Sequence, residues 1–595
     1  MPAPSLRNDV GDGYSSVTVY VLKLGEGHVA ASGATQPSYD HGASTLKLRA
    51  QTIGAALAET AARIPHHQAL VVREQGVRWT WSELARRSDE FAAGLLALGL
   101  QPGDRVGVWA PNNAEWVIAE FALAKAGFIC VTLNPAYRLN ELEFALNKVE
   151  CQALITARVF RSTDFVALLG TLMPELPASP PGELHAQLVP SLRWVIQIGS
   201  DVAPGCLGFD DVAARATPAD REKLATIEAA IQFDAPVCIQ FTSGTTGIPK
   251  GATLSHHNVV NNAAQLANAM RMQAGERLCA PVPMFHCFGY VASVLVCALS
   301  GATLVFPGAA FDPLAVLQTV HDERCTALHG VPTMFIAELA QPTFDRFDLT
   351  SLRSGGMAGA TCPEALMRQV MERMHMTDVL ILFGMTETSP MATHTAADDT
   401  LARRVGSVGR VVPHVEIKII DPDGNVVPRG ITGEFCTRGY SVMLGYWGDP
   451  ERTAEAIDAA GWMHTGDLVS MDTDGYCRVA GRIKDMIKRG GEAIFPREIE
   501  EFLYTHPAVR DVYVFGVPHE YWGEEVCAWI SLRDSAGLTE DEVWEFCRDK
   551  IAQQKVPKHI RFVSSFPMTG SGKVQKYVMR DLMAKELGRS IQSVA

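Results

Sequence analysis

Residues 237–270 read VCIQF-TSGTTGIPKG-ATLSHHNVVNNAAQLANAM. An apolar, strand-like run gives way to ten residues of Ser, Thr, Gly and one Lys, and then to a helical pattern. Glycines let such a loop fold back and present its N–H groups, hydroxyls add donors, and Lys250 adds a positive charge, so the segment reads as a polyphosphate cradle. It is not a Walker A loop, because no G-x-x-x-x-G-K-[ST] string occurs in the chain. Three further segments hold polar residues fit for chemistry: Glu387 in FGMTETSP, Asp467 in HTGD and Lys573 in TGSGKV. Taken singly, each has a plainer reading: the Asp as a turn or cap, the Lys as solvated surface, the Glu as a helix cap. His286, between Phe285 and Phe288, fits a core histidine as well as a pocket gate. The His256-His257 pair reads as a helix N-terminus rather than a metal site. GEGHVA (25–30) matches a dinucleotide fingerprint, but the Gly and Pro of ASGATQP stop the helix that the fingerprint requires.

The elements that must position these groups alternate. TIGAALAETAARI (52–64) has a helical period, ALVV and VRWTW flank a turn, and Thr80 with Glu83 reads as a capping box opening a helix to Gly99. Strand and helix patterns then follow through RVGVWAP, AEWVIAEFALAKAGF, ICVTL, NELEFALNKVE and ALITA (153–157), as in a helix-covered parallel sheet. Five prolines between 170 and 190 mark a connection, and a second doubly wound unit is expected from WVIQIG (194–199) to VLILFG (379–384). Beyond about Val405, strands and Gly turns dominate, with Asp423-Gly424 as a hairpin signal. Residues 485–595 read as a small α+β unit. The expected fold is therefore α/β: a large N-terminal domain of two doubly wound subdomains plus a β-rich subdomain, and a small mobile C-terminal domain. Residues 1–45 are assigned to an N-terminal extension, 46–483 to the large domain and 484–595 to the small one.

Composition narrows the class. The 595 residues are 47% hydrophobic and 20% charged, which excludes a mostly disordered or fibrous chain. A net charge of −14 argues against a general nucleic-acid or anionic-membrane binder. Thirteen scattered cysteines without a C-x-x-C pair read as buried thiols of a reducing compartment, so a cytoplasmic enzyme is expected. The longest near-apolar run, Gly289 to Leu299, is too short for a bilayer, and no secretory signal is read.

The ten-residue loop resembles the signature of the acyl-adenylating (AMP-binding) superfamily, and six further motifs appear in that family's order across residues 50–585. MFHCFG (284–289) is similar to its acyl-pocket segment, GMAGATCP (356–363) to its adenine-edging turn, and FGMTETSP (383–390) to its adenine-stacking and metal motif. Residues 461–485 resemble the ribose-binding and hinge stretch, RGGEAIFPREIE (489–500) the CoA-facing motif, and PMTGSGKVQK (567–576) the catalytic-lysine loop.

The resemblance implies roles by position. Thr242, Ser243, Gly244, Thr245, Thr246, Gly247 and Lys250 would hold the β,γ-phosphates of ATP. Glu387 would ligate Mg²⁺, and Thr386 would bond the α-phosphate. Gly359, Ala360, Thr361, Phe383 and Gly384 would border adenine. Asp467 would take both ribose hydroxyls with its two acceptor oxygens, joined by Arg482. His286 and Gly289 would border the acyl pocket, Lys484 would be the hinge, and Gly490 and Gly491 would let CoA pass. Lys573 would contact the reacting carboxylate and α-phosphate. The chain departs from the pattern in having Phe383 where Tyr is common, Thr361 where Pro is usual and Ala493 where Asn is usual.

TLNPAYR (132–138), PMFHCFGY and RGYSVMLGYW (438–447) look most like medium-chain fatty-acyl-CoA synthetases. The expected activity is an ATP-dependent carboxylate–CoA ligase working through acyl-AMP, with Mg²⁺ as cofactor. The chain would act as monomer or homodimer. Alternatives are an acyl-AMP ligase that loads a carrier protein in trans, and a nucleotide- or acyl-binding pseudoenzyme, against which the intact Lys573, Glu387 and Asp467 argue.

Overall fold

The computed structural model describes residues 36–242, 249–360, 362–490, 492–533, 537–548, 550–568 and 574–589. Local signals produce local structure. Thr52 caps the helix Ile53–Arg63 by accepting from the Ala55 N–H, and Thr80 with Glu83 forms the capping box of the helix Trp81–Ala97. The next helix, Ala114–Lys125, is apolar on all faces and correspondingly buried all round. Its terminal Lys125 is buried but paired, 2.7 Å from Asp89 and 3.1 Å from Glu228.

Four larger sheets organise the described residues. The first has eight strands in the order 207–208, 194–197, 153–156, 105–109, 129–132, 236–242, 250–255 and 445–446. Its first six strands run parallel and the last two pair antiparallel. The second has nine strands, in the order 410–411, 393–394, 378–383, 354–357, 327–328, 277–279, 303–306, 68–72 and 77–80.

These two sheets correct the expectation of two successive doubly wound units, because the chain interleaves them. The early hairpin 68–80 joins the second sheet through the strand Thr303–Phe306. Strands 194–197, 236–242 and 250–255, expected in the second unit, complete the first sheet. Both sheets share the α/β character that the sequence predicts.

The third sheet is antiparallel and five-stranded, built from 415–420, 433–439, 463–471 and 477–482 with 39–41 at one edge. Tyr39–His41, from the stretch assigned to the N-terminal extension, pairs with Val415–Ile420. A fourth sheet lies in the C-terminal region. Val509–His519 pairs along its length with Gly523–Leu532, and His559–Phe562 adds a parallel strand. The helices Pro496–Tyr504 and Lys576–Glu586 are joined to each other by the Lys576–Glu500 ion pair at 2.7 Å. All thirteen cysteines are buried and unbridged. Among the described residues no helix is long and apolar enough to cross a membrane.

Candidate active site

The strand Pro236–Thr242 does not run through its loop straight into a helix. It turns back as the antiparallel strand Lys250–Ser255, and only then does the helix His256–Ala269 begin, capped by Ser255. The signature segment thus connects two antiparallel strands, and the helix N-terminus lies a strand's length beyond Lys250. Thr242 and Lys250 are direct cross-strand partners at the hairpin's end. Ser243, Gly244, Thr245, Thr246 and Gly247 lie outside the described residues.

Glu387 faces this hairpin end. It sits in the single turn Thr386–Thr388, immediately beyond the strand Asp378–Phe383, and is only 5% exposed. The turn is held from several sides. The Thr388 hydroxyl accepts from the Met385 N–H at 3.0 Å, and Ser389 Oγ donates to the Ser441 carbonyl at 2.7 Å. Asn262 Nδ2, from the helix after the hairpin, donates to the Met391 carbonyl at 2.9 Å. One carboxylate oxygen of Glu387, Oε1, accepts from Tyr446 OH at 2.9 Å and from Thr242 Oγ1 at 3.3 Å. Burial first, and then the Glu387 charge, push the Tyr446 phenol far up, so it remains a donor at neutral pH. Lys250 Nζ lies 4.8 Å from the centre of the Tyr446 ring. A carboxylate beside hydroxyl oxygens is the donor set of a hard divalent cation, so Glu387, with Thr242 adjacent, fits Mg²⁺.

A second charged group forms on the third sheet. Asp467 and Arg482 are cross-strand partners, and Arg482 Nε donates to Asp467 Oδ1 at 2.8 Å. Asp467 is 4% exposed and its N–H is taken by Thr465 Oγ1 at 3.1 Å, so the TGD turn is internally braced. Burial works against the Arg482 charge, but Asp467, Asp485 and Glu387 outweigh it and raise the guanidinium's pKa. Lys484, in the short turn Ile483–Asp485, is held below the ordinary lysine value by burial first, then by Arg482, with Lys250 contributing. Arg482 thus responds to Glu387 and Lys484 to Lys250. The two groups share one electrostatic field.

The remaining expected residues are distributed around this centre. Phe383 packs edge-on to Phe435, ring centres 5.5 Å apart, and the following Gly384 has no room for a side chain beside the Pro390 carbonyl. Gly359 adopts φ +86° at the end of the strand Ser354–Met357, with Ala360 exposed beside it. His286 is half-buried and caps a short turn, its Nδ1 accepting from the Phe288 N–H at 3.2 Å.

At Gly289 a Cβ would lie 2.3 Å from the Pro283 carbonyl, so its missing side chain admits the neighbouring backbone. Gly490 is similar, since a Cβ would meet the Trp522 ring at 2.8 Å. Thr361, Gly491 and Lys573 lie outside the described residues.

The AMP-binding enzyme family profile matches residues 57–447, and that of the AMP-binding enzyme C-terminal domain matches residues 498–573. The chain belongs to the AMP-binding enzyme family. It is 46% identical over 531 residues to YngI of Bacillus subtilis (strain 168), which is named as an acyl-CoA synthetase, covering 89% of this chain and 96% of that one. It is 41% identical over 556 residues to the human mitochondrial medium-chain acyl-CoA ligase ACSF2, covering 92% and 90% respectively. In structure it resembles the anthranilate CoA ligase AuaEII in complex with anthranoyl-AMP, with a TM-score of 0.80, 28% identity and coverage of 91% and 99%. A Mycobacterium tuberculosis fatty acyl CoA synthetase gives a TM-score of 0.68, 28% identity and coverage of 90% and 99%.

Within this AMP-binding enzyme, two residues escaped the sequence reading. Tyr446 lies in a stretch quoted only for its subclass likeness, and nothing local signals a hydroxyl aimed at Glu387, 59 positions away. His329 is fully buried in HGVPT. Its Nδ1 accepts from the Gly356 N–H at 2.8 Å and its Nε2 donates to the Ala292 carbonyl at 2.8 Å. Burial lowers its pKa to about 4, so it stays neutral and ties the helical segment Tyr290–Leu295 to the strand Ser354–Met357.

Proposed function

We propose that this AMP-binding enzyme is an acid–thiol ligase that activates a medium-chain fatty acid with ATP and transfers it to CoA. The observation that carries the reading is the convergence of Thr242, Lys250, Glu387 and Tyr446 beside the Asp467–Arg482 pair. A carboxylate attacking the α-phosphorus of ATP brings two anions together and expels pyrophosphate, so the site must supply cations and donors where charge develops. Lys250 and Arg482 supply fixed positive charge, and Asp467 offers acceptor oxygens to ribose hydroxyls. Mg²⁺, held by Glu387 when bound, would offset phosphate charge.

The proposed division is an adenylation domain over 46–483 and a C-terminal domain over 484–595, with Lys484 as hinge and Lys573 as the lysine that meets the reacting groups. The names of YngI and ACSF2 support the acyl-CoA product, and ACSF2 supports the medium chain length. Thirteen unbridged, buried cysteines support a reducing compartment such as the cytoplasm.

The test is AMP formation over straight-chain acids from C2 to C18 and aromatic acids, with and without CoA. CoA-dependent AMP release peaking between C6 and C12 is expected, since each buried methylene contributes roughly 0.8 kcal/mol until the tail meets the pocket end. Acyl-AMP that accumulates without passing to CoA points to the carrier-loading ligase, and no pyrophosphate release at all points to a binding protein.

A further inference from the structure

On the third sheet, one strand before the nucleotide-facing turn, three side chains of different chemistry converge. Glu434 and Cys436 project from the same face of the strand Gly433–Gly439, and Cys436 is the direct cross-strand partner of His464. His464 Nδ1 lies 3.1 Å from Glu434 Oε2 and 3.6 Å from Cys436 Sγ. The three ligand atoms all lie within 4.8 Å of one another. We propose that Glu434, Cys436 and His464 form a binding site for one thiophilic divalent cation of the zinc class, separate from the oxygen-lined Glu387 centre.

The geometry fits the ion. Zinc bonds of about 2.0–2.1 Å to nitrogen, about 2.3 Å to thiolate sulfur and about 2.0–2.2 Å to carboxylate oxygen, arranged tetrahedrally, put N and S about 3.6 Å apart and N and O about 3.3 Å apart. The observed separations of 3.6 and 3.1 Å match the two edges that meet at His464 Nδ1. A carboxylate, a thiol and an imidazole together suit zinc or a similar borderline ion, whereas Mg²⁺ prefers an all-oxygen set.

The surroundings are those of a supported site. The other ring nitrogen of His464, Nε2, faces Asp458 Oδ2 at 3.7 Å, the carboxylate–histidine arrangement that orients a metal-bound imidazole. Glu434 keeps Oε2 for the ion because its Oε1 accepts from the Gly466 N–H at 3.1 Å. Cys436 is shielded by Ile420 and Trp462. Two nearby cations, Lys418 and Arg438, lie over the Trp462 ring, 4.5 and 4.6 Å from its centre. Since Gly466 directly precedes Asp467, an ion here would fasten the strand that carries this proposed ribose-facing carboxylate to its neighbour.

Cobalt(II) titration of the chelator-treated full chain, in excess Mg²⁺ to fill hard oxygen sites, tests the site directly. One equivalent should produce a thiolate-to-cobalt charge-transfer band that zinc displaces, and elemental analysis after gel filtration should find about one zinc per chain. Cys436→Ala should abolish the band. Asp458→Asn, which removes no ligand, should weaken zinc binding by about 10- to 100-fold. Circular dichroism and thermal melting verify that each variant is folded. Absence of the band in the wild-type chain, or a band and zinc content unchanged in folded Cys436→Ala, overturns the proposal.

Discussion

Glu387 receives two hydroxyl donors on one oxygen, and that asymmetry can be tested. Tyr446→Phe removes the 2.9 Å bond while keeping the ring under Lys250. A hydrogen bond to a charged group contributes about 1.5–3 kcal/mol, so kcat/KM for ATP should fall by about 10- to 100-fold while the KM for the acid stays nearly constant. An equal loss for both substrates would mean that Tyr446 supports the fold and not the carboxylate. A different carboxyl group reports on the core. Glu120 is fully buried on the helix Ala114–Lys125, and neither of its oxygens has a hydrogen-bond partner. Burial raises its pKa well above the ordinary carboxyl value, so the folded chain holds a proton there that the unfolded chain releases. A group raised in this way contributes stability fully below its unfolded pKa and loses it as pH rises. Relative to wild type, Glu120→Gln should therefore become progressively more stable from about pH 5 to pH 8, by up to about 1.4 kcal/mol per pH unit. A difference in urea unfolding free energy that stays constant across that range would contradict a buried neutral carboxyl.

At the scale of elements, the helix His256–Ala269 acts as a brace between the hairpin and the Glu387 turn. Its Asn258 Nδ2 donates to the Tyr440 and Val442 carbonyls, and its Asn262 exchanges bonds with Met391 while reaching the Thr388 carbonyl. Asn262→Ala strands buried backbone groups at about 1–3 kcal/mol each, so chemical denaturation should show a loss of about 2–4 kcal/mol. Adenylation should fall with it, because the turn that aims Glu387 loses its anchor. Retained stability with retained activity would show that the turn holds itself. The individual helices and strands were legible because their signals are local: caps at Thr52 and Thr80, all-round apolarity at Ala114–Lys125. Sheet membership was not, since the strand Gln68–Val72 finds its partner at Thr303–Phe306, more than 200 residues on, and no local residue encodes that choice. The site divides the same way. Glu387 and Asp467 stand out in their motifs, whereas Tyr446 and His329 acquire meaning only through folded contacts. A glycine is hard to read from sequence because a missing side chain serves a ligand or a neighbouring group equally well; at Gly289 and Gly490 the coordinates place the Pro283 carbonyl and the Trp522 ring where a Cβ would be.

At the scale of the whole molecule, an exposed ion pair links the C-terminal region to the large domain among the described residues. The helix Pro496–Tyr504 meets the strand Cys477–Arg482 through Arg478 and Glu501, 3.0 Å apart and largely exposed, a pairing of the kind that contributes about 0–1 kcal/mol. The chain passes between the two through the short turn Ile483–Asp485 that holds Lys484. A short turn at the proposed hinge suits the proposed change of pose between two half-reactions. In the proposed mechanism Lys573, which follows Gly570, Ser571 and Gly572 in sequence, meets the reacting groups only while pyrophosphate leaves. Lys573→Ala should therefore slow acyl-AMP formation by about 10²–10³-fold, the scale of removing one transition-state donor. Given prepared acyl-AMP and CoA, the same variant should form thioester at close to the normal rate. Lys484→Pro fixes φ near −65° at the hinge and should do the opposite, sparing acyl-AMP formation and slowing thioester formation. The two half-reactions can be followed separately by pyrophosphate release and by free-thiol consumption. If each variant loses both half-reactions equally, the C-terminal region does not alternate, and one fixed arrangement must serve both steps.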